Sequence, residues 1–174
     1  INSIKSIKSY DHKNKINPII IDSVGEWTQK KSDSHSLNVK QLYNFNVYNF
    51  LPKKGYFKSR ISQILIFLLS FNSLRKLIIK EVPEYFIAHL IISLPLVLFS
   101  IFNFKTKLII RISGTPKLNF IRKFFWKIFS KKIYKITCPT HSTYEKLKKL
   151  KIFSEDKLEI LYDPIISVKK INDK

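Results

Sequence analysis

The sequence predicts an α/β domain built on a parallel sheet flanked by helices, and three stretches carry that expectation. Residues 107–140 read in order as a β-branched apolar run, a Ser-Gly-Thr-Pro turn, an amphipathic basic helix and a second strand. That succession is a βαβ unit, whose strands are parallel because a crossover helix joins them. The alternation continues on both sides: a strand over 84–90 reaches 107–112 through a helix over 93–103, and 133–138 reaches 158–162 through another helix. Right-handed crossovers then assemble these strands into one Rossmann-like sheet.

Taken in order, Pro18-Ile-Ile-Ile-Asp22 is a short buried strand running into the loop Ser23-Val24-Gly25-Glu26-Trp27. Residues 30–36 are polar loop, and 37–50 alternate weakly enough to hold one more strand. Leu51-Pro-Lys-Lys-Gly55 punctuates the chain before a long helix, in which Ile61, Ile64, Leu65, Leu68 and Leu69 form the expected buried stripe. That helix ends near Lys80, ahead of Pro83.

Residues 85–102 have almost the length of a transmembrane helix, but Pro83-Glu84, His89 and Pro95 favour a buried strand followed by a core helix. After Pro116 a helix over 117–131 carries Leu118, Ile121, Phe125, Ile128 and Phe129 on one side and Arg122, Lys123, Lys127 and Lys131 on the rest. Ser142 to Glu145 matches a capping box and marks the next helix start. The domain is expected over 1–164, with 165–174 beginning a linker.

The totals bound what such a domain does. The 174 residues suffice for one domain with a buried core, and the absence of methionine, even at position 1, suggests a processed chain or an internal fragment. A formal charge of +20 invites a nucleic-acid partner, but 28 of the 32 basic residues are lysine, in a composition rich in Ile and Asn. Such a bias makes many lysines ordinary surface solvation, so no specific nucleic acid is expected. An anionic membrane surface or an anionic substrate fits better. The lone Cys138 forms no internal disulfide, no His/Cys group has metal-ligand spacing, and no unbroken apolar core of a signal peptide precedes residue 14. A reducing cytoplasm fits these features.

In a parallel sheet the carboxyl ends of the strands share one edge, and ligands bind there. His89, the Arg111-Ile112-Ser113-Gly114 turn and Thr140-His141 are expected on that edge, with Gly25, Glu26 and Trp27 beside them. His89 is either a general base or sugar-hydroxyl partner, or a histidine satisfied by nearby backbone. Arg111 can hold a phosphate or carboxylate in its fork, or pair at the surface. Gly114 lets the chain turn and its amide approach a ligand, while Lys117 and Asn119 open a helix whose free N–H groups favour an anion. Thr140 and His141 either face the cleft or serve the turn. Neither G-x-G-x-x-G, a P-loop nor a Ser/His/Asp set occurs, and Cys138 reads as a packing residue.

As an ordered series, HLIISLPLVLF, KLIIRISGTPKLNFIRKFFWKIFSKK, ITCPTHSTYEKL and LEILYDPII resemble the N-terminal domain of GT-B glycosyltransferases of the family-four type. The GEW and LPKKGYFKSR segments resemble bacterial members that act in surface-polysaccharide and lipopolysaccharide assembly, and the likeness covers about residues 17–168. It implies the acceptor-side half of an enzyme with two Rossmann-like domains. Such enzymes transfer sugar with retention, without a metal or other cofactor, from a nucleotide-sugar donor to a glycan or lipid-linked acceptor. They work in the cytoplasm or peripherally on the inner face of the plasma membrane.

Carried over by position, His89 is the candidate catalytic residue, and Arg111, Ser113 and Gly114 border the cleft. Asp163-Pro164-Ile165-Ile166 matches the passage to the second domain. Many family members have a histidine where this chain has its RISG turn. The family's first strand and glycine-rich loop would precede Ile1, and its donor-binding domain would follow Lys174, so the chain by itself is expected to be inactive. The alternative from another class is a noncatalytic basic α/β module that binds nucleic acid or an anionic membrane.

Overall fold

A computed structural model describes residues 11, 13, 15–23, 38–43, 56–89, 92–114, 116 and 119–162, with the backbone alone for 56–60. The fold is α/β, with parallel sheets and helices, and it divides into two compact units between Glu81 and Val82.

In the first unit β1 (Ile19–Asp22) pairs in parallel with β2 (Asn38–Gln41), placing Ile20 beside Val39 and Asp22 beside Gln41. Both strands fall where the apolar and alternating runs predicted them. A 26-residue helix, α1 (Tyr56–Glu81), follows and ends one residue past the expected Lys80. Which side of α1 is buried differs from expectation. Ile61, Ile64, Leu65, Leu68 and Leu69 are all exposed, whereas Ser62, Ser70, Leu74 and Ile78 are buried.

The reason is local: residues 64–69 are apolar all round the helix, so periodicity cannot choose a face there. The buried side carries a polar contact. The Tyr43 hydroxyl donates to Ser70 Oγ at 2.6 Å, satisfying a serine with no solvent exposure. Burial pushes the Tyr43 hydroxyl upward in pKa, and the bond to Ser70 opposes that push. Lys40 on β2 closes an ion pair of 2.7 Å with Glu81 at the end of α1.

That pair gives a pH prediction. The Lys40 hydrogen bond holds the Glu81 carboxyl below its ordinary pKa, so its stabilisation is present above the ordinary glutamate value and is lost as pH falls through the lowered one. In urea titrations across acid pH, Glu81→Gln should flatten that part of the stability profile, and added salt should shrink the difference from the parent.

Val82, directly after α1, has φ 42°. A β-branched residue in the left-handed region is strained, and it marks the abrupt stop of the helix between the two units.

The second unit contains a four-stranded parallel sheet in the order β3 (Tyr85–His89), β4 (Lys107–Arg111), β5 (Ile133–Cys138) and β6 (Leu158–Ile160). Helices α2 (Ser93–Ile101), α3 (Phe120–Phe129) and α4 (His141–Lys149) make the crossovers. Segment 85–102, weighed above as a membrane span, is therefore a strand and a nine-residue helix. Among the described residues one helix, at Ile61–Glu81, is long and apolar enough to cross a membrane by length and composition.

Because these strands lie in sequence order, right-handed crossovers put all three helices on one face. Burial follows that rule. Ala88, Ile110, Ile136 and Leu158 pair laterally across the four strands and are all buried. Leu108 and Ile133 form the next buried row, joined by Leu94, Leu96, Leu98 and Phe99 of α2 and Leu147 of α4. The opposite face is more open: Tyr85, Ile87 and Tyr134 are exposed, with Lys107 Nζ about 5 Å from both tyrosine rings. A register shift between Leu108 and Ile109 brings Tyr134 into that group.

Two helix starts differ from the predicted ones. Helix α3 begins at Phe120 with Asn119 as its cap and ends in a 3₁₀ turn over Ser130–Lys132. Helix α4 is capped by Thr140, whose Oγ1 accepts the Thr143 amide at 3.1 Å, so Ser142 and Glu145 lie inside the helix instead of closing a capping box.

Candidate functional site

The carboxyl ends of parallel β3 and β4 bring His89 and Arg111 side by side, paired in register. The chain leaves β4 through Ile112, whose amide donates to the Thr137 carbonyl of β5 at 2.9 Å, and continues through Ser113 and Gly114. His89 Nε2 and Ser113 Oγ then meet at 3.0 Å, and the tautomer decides which of them donates. Around this pair lies an open hollow of about 260 Å³, lined by His89, Arg111, Ser113 and Gly114. Ile92, Ile112, Pro116 and Trp126 form the rest of its wall.

Arg111 is held in place as well as presented. Its Nη2 donates to the Leu161 carbonyl at 2.9 Å, tying the end of β4 to the segment after β6. Burial raises the pKa of the Cys138 thiol, at the end of β5 with no solvent exposure, while the positive Arg111 nearby pulls it the other way. That matches a packing cysteine. Gly114 lies outside the left-handed region and a Cβ there would meet nothing within 4 Å. The turn therefore does not require glycine, contrary to the expectation that Gly114 lets the chain turn.

Comparison with protein-family models, curated proteins and solved structures brings no relative to bear on this geometry. None of the three yields a match.

The structure gathers four of the predicted site residues, His89, Arg111, Ser113 and Gly114, around one hollow. Thr140 and His141 follow the end of β5, at the same edge, but neither lines that hollow. Thr140 Oγ1 is occupied with Thr143, and the His141 ring lies 6.1 Å from Tyr144 one helical turn on. Asn119 Oδ1 accepts the Arg122 amide at 2.9 Å, so the carbonyl expected near an anion is capping α3. Gly25, Glu26, Trp27 and Lys117 lie outside the described residues, as does Asp163-Pro164.

Trp126 is the lining residue that the sequence reading overlooked. It is half-buried, packing edge-on against Phe153 at 5.4 Å between centroids. The signal was there: Trp126 interrupts the basic side of α3, between Arg122 and Lys123 on a helical wheel, where an aromatic needs a reason.

Chemically, the histidine–serine pair can accept or relay one proton, the guanidinium can orient an anionic oxygen, and the indole edge offers an apolar wall. Among the described residues no three His, Cys, Asp or Glu side chains cluster as a metal site.

Proposed function

We propose that this chain is the acceptor-side domain of a glycosyltransferase that moves a sugar from a nucleotide-sugar donor to a lipid-linked or polysaccharide acceptor in bacterial surface-glycan assembly. The observation that carries the proposal is the convergence of His89, Ser113 and Arg111 on one hollow at the carboxyl ends of parallel strands. A hydroxyl-bearing acceptor suits that set. His89 accepts a hydrogen bond from the incoming hydroxyl, Ser113 orients the imidazole, and Arg111 steers a negatively charged group. The volume, about 260 Å³, is below the roughly 300–1,000 Å³ of complete small-molecule pockets. It suits one wall of a cleft whose donor side another domain supplies.

The test is sugar transfer by the complete gene product, with a panel of nucleotide sugars and membrane extract as acceptor. His89→Ala and Arg111→Ala should each lower turnover by about 100-fold while far-UV circular dichroism stays unchanged. A folded complete protein that neither binds nor turns over any nucleotide sugar would sink the proposal and leave the basic binding module in its place.

A further inference from the structure

Helix α3 docks on its own unit by a narrow edge and leaves its apolar side uncovered. At 100° per residue, Phe120, Phe124, Ile128, Ile121 and Phe125 occupy one continuous arc of the wheel, and Trp126 and Phe129 lie off its far side. Only Trp126 and Phe129 are half-buried. Phe120 is 87% exposed, Ile121 63%, Phe124 58%, Phe125 49% and Ile128 45%. A soluble crossover helix buries its apolar stripe on the sheet, and this one turns it outward.

The charges beside the arc select an occupant. Lys123 and Lys127 border it, Lys131 and Lys132 follow at the end of the helix, and from Tyr85 to Tyr144 the chain has ten Lys or Arg and no Asp or Glu. Lys131 and Lys132 also line a hollow of about 570 Å³ together with Lys105, Lys107, Lys135 and Lys157, against the single carboxylate of Asp156. An aromatic and aliphatic arc flanked by cations, on a helix that carries no carboxylate, matches the interface of an anionic bilayer. RNA fits less well, because the isoleucines cannot stack on bases and the arc is convex rather than grooved.

We infer that α3 is a membrane-docking helix that lies in the interface of an anionic lipid surface, its phenylalanines below the headgroups and its lysines among them. This inference stands on α3 alone and holds whether or not the transferase proposal does.

The test is co-sedimentation of the 174-residue chain with vesicles of phosphatidylglycerol and phosphatidylcholine in equal parts, and with phosphatidylcholine alone. Binding should be at least about tenfold tighter on the anionic vesicles. The double variant Phe120→Ser/Phe124→Ser should lose about tenfold or more without a change in circular dichroism, because both rings already face solvent. Lys123→Gln/Lys127→Gln should reduce the salt dependence of binding. A Phe124→Trp variant should gain quenching by brominated lipid over the parent, whose own Trp27 and Trp126 set the baseline, and adsorption through surface lysines does not produce that gain. No gain in quenching, or vesicle binding indifferent to the phenylalanines, overturns the inference. So does Phe124-dependent binding of RNA, or Phe124-dependent self-association, in a chain that ignores vesicles.

Discussion

Ile110→Ala should destabilise the second unit by about 3 kcal/mol, and Ile110→Asp should prevent that unit from folding. Ile110 has no solvent exposure and lies on β4, which pairs with β3 on one side and β5 on the other. Its lateral partners Ala88 and Ile136 are buried too, so truncation opens a cavity that neither neighbouring strand can collapse into. The carboxylate of the aspartate would be desolvated among apolar side chains with no cation in its row.

Since whole domains are stable by only about 5–15 kcal/mol, the alanine variant should be visibly shifted in urea. Two compact units also make two transitions the expected form of the curve, with the Ile110 effect confined to one. The exposed Ile87 on the neighbouring strand is the control: Ile87→Ala should change stability little, because most of its surface is already in water. An equal loss at the two positions would mean that the buried face of the sheet has been misassigned.

The parts of this fold that could be read from sequence are those in which one local pattern has one outcome. Strands 85–89, 107–111 and 133–138 are short runs rich in aromatic or β-branched residues and bounded by Pro, Gly or polar residues, and each formed where its letters placed it. The edge shared by His89, Arg111 and Ser113 followed, because parallel strands put their carboxyl ends together whatever fills the loops.

Two features were not legible, for a common reason. The buried side of α1 is the one that carries the Tyr43–Ser70 hydrogen bond, a contact 27 residues apart in the chain. The outward turn of the apolar side of α3 goes with the packing of Trp126 on Phe153, again a tertiary contact. Where a helix is apolar over more than half its circumference, periodicity gives its existence and leaves its orientation to such contacts. Helix starts sharpen the point. Thr140 and Ser142 are both good caps, and only the end of β5 at Cys138 decides between them.

If the chain serves the sugar transfer proposed above, Gly114→Leu should lower turnover by about 100-fold or more while leaving stability within about 0.5 kcal/mol of the parent. The two halves of that expectation come from one position. Gly114 adopts a backbone conformation open to any L-residue, and a Cβ there would meet nothing within 4 Å, so a side chain leaves the backbone without conformational cost and without a clash at its first carbon. Gly114 also lines the hollow in front of His89 and Arg111, so on the proposed reading an isobutyl group there competes with whatever the acceptor places beside the imidazole. Gly114→Ala, one carbon larger than the parent, should fold equally well and retain most of its transfer. A graded loss from alanine to leucine at constant stability therefore measures occupancy of the hollow, separately from the role proposed for His89. A leucine variant that transfers sugar as fast as the parent would remove the hollow from the acceptor path, even if His89→Ala were inactive, because the two substitutions act on the same few ångströms by unrelated means.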